Sequence, residues 1–110
     1  MSYVPDRGDI VWIHMNPQAG REQAGHRPAY VVSPKAYNGK VGLALMCPIT
    51  SKQKGYPFEV RVDGSTTKGV ILSDQVKSLD WRARDARFEE RAEDTVIAEV
   101  AAKIDTLIKV

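Results

Sequence analysis

The stretch FEVRVDG, residues 58–64, carries the clearest structural signal in the chain. Phe58, Val60 and Val62 alternate with charged residues, and an Asp-Gly pair follows them. Successive side chains of a β-strand point to opposite faces, and Asp-Gly is typical of a tight turn. The stretch therefore predicts a strand that is buried on one face and ends in a turn.

Other short strands flank this one on both sides. Apolar or β-branched runs, separated by turn signals at short intervals, predict strands over residues 9–15, 28–33, 41–49, 69–73 and 79–84. In the first of these, Val11 and Ile13 lie on one face and Ile10 and Trp12 on the other. We therefore expect this strand to be buried on both sides, with Trp12 in the core. Many short strands at such spacing indicate a small β-barrel or sandwich.

The end of the chain has a different pattern. From Asp94 onward the apolar residues recur every three or four positions, which is the spacing of one helix face, at Ile97, Val100, Ala101, Ile104, Leu107 and Ile108. Asp94 or Thr95 is the expected N-cap. We predict a mainly β (α+β) fold for residues 1–110 as a single domain, a small barrel with an open side covered by a C-terminal helix.

Composition limits the classes of function. The chain has 110 residues and a formal net charge of +2, too small for bulk charge alone to indicate a nucleic-acid binder. Its one cysteine, Cys47, excludes an intrachain disulfide and a multi-thiolate metal site. We see neither a signal peptide nor an apolar run of about 20 residues. We therefore expect a cytoplasmic protein with no membrane association, and dimerisation would supplement its small core.

Three segments could hold a site. Residues 17–28 crowd acidic, basic and amide side chains into one glycine-containing loop, where sites are often found. In isolation, a solvated loop whose charges pair with one another is the better interpretation. In the second segment Thr50 and Ser51, followed by two lysines, could hold a phosphate or simply end a hairpin. In the third segment Asp74 could be a catalytic carboxylate or a turn acceptor. Trp81 could stack on a base or lie in a subunit interface.

Taken together, the motifs resemble those of the MazF/PemK toxin family. The resemblance extends almost from end to end, in this order: GDIVW at 8–12, EQAGHRP at 22–28, PITS at 48–51, KGYPFEV at 54–60 and GVILSDQVKS at 69–78. It implies an SH3-like barrel with a C-terminal helix, the architecture of CcdB/PemK-like toxins, assembled as a homodimer. It also implies sequence-specific cleavage of single-stranded RNA, chiefly mRNA, without metal or cofactor, and inhibition by a MazE-like antitoxin.

The resemblance also implies roles for individual residues. Arg27 matches the family's catalytic arginine, Thr50 its phosphate-binding threonine, and Glu22 and Asp74 its two candidate general bases. The resemblance further implies an RNA-binding or supporting role for Gln23, His26, Lys54 and Gln75. The PemK branch has histidine at the position of Arg21 and arginine at the position of Leu72, so its mechanism cannot be transferred whole. The general base therefore stays open between Glu22 and Asp74.

Two alternatives share this architecture. One is a poison of DNA gyrase of the CcdB type, and the other is a barrel that binds RNA without cutting it. Fold alone does not separate them from a ribonuclease. The combination of Glu22, Arg27 and Thr50 favours the ribonuclease, because a gyrase poison does not need it.

Overall fold

The structure, a computed structural model, describes residues 3–14 and 25–109. The elements follow one another along the chain as β1 (Asp9–His14), β2 (His26–Val31), α1 (Lys35–Val41), β3 (Ala44–Thr50), β4 (Glu59–Asp63), β5 (Lys68–Leu72), β6 (Lys77–Leu79), β7 (Arg87–Arg91) and α2 (Asp94–Ile108). The prediction of a mainly β fold with a C-terminal helix is confirmed.

The strands form one antiparallel sheet in the order β4-β5-β3-β2-β1-β7. Strand β3 is its centre, because one edge pairs with β2 while the other pairs first with β6 and then with β5. The sheet therefore curves into a half-barrel, in which β4 and β7 are the free edges at the two ends of this strand order.

Apolar side chains pack on both faces of the central strands. Ile10 belongs to one core cluster, whereas Val11 and Ile13 belong to the other. The prediction that the first strand is buried on both sides is confirmed, but the core position of Trp12 is wrong, since its side chain is 40% exposed. Trp81 is instead the buried tryptophan, and its Nε1 donates a hydrogen bond to a backbone carbonyl at 3.0 Å. It is therefore available neither to a base nor to a partner subunit.

Helix α2 covers the open side of the half-barrel. Val100 is fully buried, and Val96, Ile97 and Ile104 pack on the same core cluster. The prediction is confirmed for Ile97, Val100 and Ile104, whereas Ala101, Leu107 and Ile108 of the predicted apolar face are exposed. The N-cap is Glu93, one residue before the predicted position. No helix among the described residues is long and apolar enough to cross a membrane.

A side chain joins the two free edges of the sheet. Glu90 on β7 accepts hydrogen bonds from the backbone amides of Ser65, Thr66 and Thr67, in the turn between β4 and β5, at 2.9, 3.0 and 2.7 Å. Burial opposes ionisation of Glu90, but these bonds dominate and hold its pKa below the ordinary value. The barrel is thus closed by a carboxylate rather than by strand pairing.

Two predicted strands are misplaced. The segment predicted over 41–49 begins only at Ala44, because the preceding residues form α1, which ends at Gly42 in the left-handed conformation (φ 83°). The segment predicted over 79–84 is mostly a turn, in which Asp80 Oδ1 accepts hydrogen bonds from the amides of Arg82 and Ala83. Strand β7, whose side chains are mostly exposed, was not predicted.

Candidate active site

Arg27 and Thr50 lie opposite each other where β2 begins and β3 ends. The ladder pairs Ala29 with Pro48, so extending the antiparallel register by two residues on each strand brings Arg27 to Thr50. Both side chains line an open groove of about 640 Å³. The two residues that the sequence places in separate segments are therefore brought to one site.

Positive charge dominates this first groove. Its lining residues among those described are Arg27, Pro28, Pro48, Ile49, Thr50, Ser51, Lys52 and Lys68. Three of them are cationic and none is acidic, although the whole chain carries a net charge of only +2. The charge of Lys68 is partly offset by an exposed ion pair with Asp63 at 2.9 Å. The groove therefore suits a polyanion through local placement of charge.

The polar groups of the groove can donate hydrogen bonds to a ligand. The exposed guanidinium of Arg27 donates to its neighbour's carbonyl at 2.9 Å through Nη1, and its fork can rotate toward a phosphate. Thr50 Oγ1 accepts a hydrogen bond from the amide of Lys52 at 3.2 Å. Since the Thr50 oxygen is the acceptor in that contact, its hydroxyl hydrogen can point to a ligand in the groove.

A glycine on β5 sets the position of the Thr50 backbone. Gly69 has φ +148°, and a Cβ built there would lie only 2.4 Å from the carbonyl oxygen of Thr50. Val70, the next residue, pairs with Thr50 in the ladder between β3 and β5. The two strands can therefore approach this closely only because residue 69 has no side chain.

A second groove continues from the first, since the two share Thr50 and Lys52. It has a volume of about 500 Å³ and is lined by Thr50, Lys52, Lys54, Tyr56, Glu59, Leu72 and Gln75. Lys54 and Gln75 of the predicted RNA-binding residues thus lie in one groove with Thr50. One wall is formed by the loop before β4 and the first residue of β4, and the other by the last residue of β5 and the turn after it.

Asp74 is connected to the second groove through an aromatic side chain. The hydroxyl of Tyr56 donates a hydrogen bond to Asp74 Oδ2, and this bond raises the pKa of Tyr56 above its ordinary value. Asp74 Oδ1 is buried and has no hydrogen-bond partner among the described residues. Asp74 itself lines neither groove and is linked to the second one through Tyr56.

His26 lies on the other face of β2, away from Arg27 and Thr50. It pairs with His14 across β1 and β2, and successive residues of a strand alternate between faces, so His26 and Arg27 project from opposite sides of β2. The His26 ring lies 4.8 Å from that of His14 and stacks on Trp12 at 6.1 Å. If His26 binds RNA as predicted, it must do so from the face of β2 opposite to Arg27.

Some of the predicted residues cannot be placed, and others were missed. Glu22 and Gln23 lie outside the described residues, as does Arg21. Tyr56 and Lys68, which line the two grooves, were not singled out from the sequence. The only local signal for Lys68 was its position directly before Gly69, at the start of the predicted strand.

Among residues 3–14 and 25–109 there is no cluster of three or more His, Cys, Asp and Glu side chains that could hold a metal ion.

Sequence comparisons show that the chain is similar to known toxins. A family profile described as a PemK-like, MazF-like toxin of type II toxin-antitoxin systems matches residues 6–108. The endoribonuclease toxin MazF of Escherichia coli K12 is 50% identical over 106 residues, covering 96% of each chain. The endoribonuclease PemK of E. coli is 32% identical over 108 residues, covering 94% of this chain and 81% of its own.

Solved structures agree with these matches. MazF of Deinococcus radiodurans superposes with a TM-score of 0.87 at 50% identity, covering 99% of this chain and 100% of its own. A MazE–MazF complex from the same organism gives a TM-score of 0.87 at 44% identity, covering 99% of both chains. A mycobacterial endoribonuclease, at only 14% identity, shares the fold with a TM-score of 0.77, covering 100% of this chain and 96% of its own.

Proposed function

The chain belongs to the PemK/MazF family of toxins, and on this premise we propose that it is a sequence-specific, metal-independent endoribonuclease that cleaves single-stranded RNA, chiefly mRNA. The observation that carries the proposal is the first groove, which Arg27, Lys52 and Lys68 line together with Thr50. Lys68 also forms an exposed ion pair with Asp63 at 2.9 Å, so Arg27 and Lys52 are the main phosphate-binding cations of the proposal. Such a groove attracts a phosphate chain and offers donors at one point along it.

The chemistry uses a group that RNA itself supplies. The ribose 2′-oxygen attacks the adjacent phosphorus while a general base takes its proton, and the bond from phosphorus to the 5′-oxygen breaks as that oxygen receives a proton from an acid. The products are a 2′,3′-cyclic phosphate and a 5′-hydroxyl. DNA lacks the 2′-hydroxyl and is not cleaved.

Each residue of the site has a role that fits this reaction. Arg27 stabilises the charge that develops on the phosphate oxygens, and Thr50 donates a hydrogen bond to the same group. Lys54 and Gln75 hold the neighbouring nucleotides in the second groove. Asp74, with one oxygen unpartnered among the described residues, and Glu22 are the two candidates for the base, and His26 and Gln23 support RNA binding.

The proposal includes two protein partners. A MazE-like antitoxin, of the kind present in the D. radiodurans complex, would cover the cationic grooves with an acidic segment.

A second copy of the chain would form a homodimer. Exposed apolar side chains at the end of α2 are suitable for this contact, since Leu107 is 53% and Ile108 70% exposed. Light scattering of the wild type at micromolar concentration should give a dimer mass, and a monomer would contradict this part. The protein would encounter both RNA and the antitoxin in the cytoplasm.

Single substitutions test the site directly. Arg27→Ala should lower kcat about 10²- to 10³-fold, because a preorganised donor to the transition state is lost, and Thr50→Ala should lower it in the same direction. Lys40→Ala is the control, since it removes a positive charge from α1 that lines neither groove. Full cleavage by Arg27→Ala, or an equal loss in Lys40→Ala, would contradict the assignment.

A further inference from the structure

Glu59, the first residue of β4, is the one acidic side chain among the described residues that line the second groove. A carboxylate beside the path of a phosphate chain repels it, so an uncompensated acid here would weaken RNA binding. The alternation of the strand accounts for a polar residue at this position but not for its negative charge.

Three consecutive backbone amides compensate this carboxylate. Oε1 accepts from the amides of Gly55 at 3.0 Å and Tyr56 at 3.3 Å, and the amide of Lys54 donates to Oε2 at 3.0 Å and to Oε1 at 3.3 Å. Gly55 has φ +79°, a left-handed conformation that turns the amide groups toward one centre. The carboxylate therefore occupies an anion cradle made by the loop itself.

We propose that Glu59 is a positioning residue for RNA recognition, which holds residues 54–56 in the conformation that presents Lys54 and Tyr56 to the nucleotide chain. This role rests on the proposed ribonuclease function. The Tyr56 ring is 44% exposed and can stack on a base, and the Lys54 ammonium can contact a phosphate. Both side chains depend on the backbone that Glu59 fixes.

Two other contacts hold the C-terminal end of the same loop. Lys103 on α2 donates a hydrogen bond to the carbonyl of Pro57, and the Tyr56 hydroxyl donates to Asp74. Residues 51–57 are otherwise exposed and lie outside regular secondary structure. Because strand pairing does not hold them, the carboxylate of Glu59 is the anchor at the middle of the loop.

The same contacts argue against a direct chemical role for Glu59. Both of its oxygens accept amide hydrogens, so taking a proton from RNA would release the loop that forms the groove. The amides also disperse the negative charge, which reduces its repulsion of phosphate. Glu59 therefore acts through Lys54 and Tyr56 and not on the reacting atoms.

Steady-state cleavage of a short fluorogenic RNA by Glu59→Ala tests this role. Loss of one stacked base and its neighbouring contact should raise KM about tenfold or more, with kcat changed less than about threefold. Removal of a negative charge alone would have the opposite sign and would lower KM. Partial unfolding would lower the apparent kcat and leave KM unchanged.

Glu59→Gln is the conservative variant. Its amide oxygen can still accept from Gly55 and Tyr56 and, at the longer distance of 3.3 Å, from Lys54. Its NH₂ group would replace the nearer acceptor of Lys54, so KM should lie between those of the wild type and Glu59→Ala. Glu89→Gln, on the exposed face of β7, removes the same charge outside both grooves and is the control. Its KM should stay at the wild-type value.

Amide hydrogen exchange of the free protein, followed by NMR, gives a readout that needs no RNA. Residues 54–56 should exchange faster in Glu59→Ala, whereas the strand amides should keep their protection. Unchanged exchange at 54–56, or faster exchange with unchanged KM, would overturn the role of Glu59 alone. Failure of the wild type to cleave any RNA would instead overturn the proposed function, and this role with it.

Discussion

A methyl group at Gly69 should damage the site out of proportion to its effect on stability. In Gly69→Ala the new Cβ would lie 2.4 Å from the carbonyl oxygen of Thr50 and 3.0 Å from its carbonyl carbon. Both contacts are to backbone, so no side chain can swing aside. Ordinary contact begins near 3.4 Å, so the end of β3 must move by about 1 Å, and Thr50 moves with it.

The two consequences differ in size. A misplacement of about 1 Å can cost roughly 10²-fold in rate, which is the loss of kcat/KM that we expect. Overpacking of this kind costs about 1–3 kcal/mol of unfolding free energy, so most of the protein stays folded at 25 °C if its stability is in the ordinary range. Cleavage of a short fluorogenic RNA measures the first quantity, and urea unfolding followed by circular dichroism measures the second.

Gly42→Ala is the matched control. Gly42 also has a positive φ, +83°, but a Cβ there would meet nothing within 4 Å. This variant should lose about 1–2 kcal/mol through backbone conformation alone and keep wild-type kcat/KM. If Gly69→Ala cleaved RNA within threefold of the wild-type rate, or if Gly42→Ala lost as much activity, the claim that Gly69 positions Thr50 would be refuted.

Three further predictions concern stability and reactivity. Because the pKa of Glu90 is held below its ordinary value, its contribution to stability is complete above about pH 4.3 and is lost as the pH falls through the native pKa. From pH 7 to pH 3 the melting temperature should therefore fall less steeply in Glu90→Gln than in the wild type. Parallel curves for the two proteins would contradict a stabilising role for the ionised Glu90 carboxylate. Asn38→Ala should lower the unfolding free energy by about 3 kcal/mol in urea titrations, because the variant leaves two buried carbonyls and a hydroxyl without their partner. A loss below about 1 kcal/mol would show that other groups satisfy them. Burial, with the nearby charge of Asp74, raises the pKa of the Cys47 thiol to about 12, so a thiol reagent at pH 8 should label it only after unfolding, and labelling of the native protein at the unfolded rate would contradict this.

The parts of the fold that could be predicted are those with local periodicity. The alternation in β4 and the spacing along α2 each decide a structure within a single segment. Helix α1 could not be predicted, because its Asn-Gly pair is typical of a hairpin turn. Its conformation depends instead on Asn38, whose buried side chain binds carbonyls of Pro5 and Ser33. Contacts with a residue 33 positions away leave no local signal.

The site could be predicted only in part, for a similar reason. Composition alone left the polar side chains of Arg27, Thr50 and Asp74 as ordinary surface features, and only the family resemblance selected them. The register between β2 and β3 explains why Arg27 and Thr50 meet. The alternation of β4 marks Glu59 as a solvent-facing residue, and its binding of three loop amides appears only in three dimensions.

The central claim is cleavage through the ribose 2′-hydroxyl at the groove of Arg27 and Thr50. The most direct test incubates the protein with a long single-stranded RNA in EDTA and maps the cut sites and their end groups by primer extension and kinase labelling. We predict cuts at one short motif, with 5′-hydroxyl ends, that disappear in Arg27→Ala and when the nucleotide before the cut is 2′-deoxy. RNA that is bound but never cut, 5′-phosphate ends, or intact RNA together with a supercoiling defect of gyrase would contradict the account.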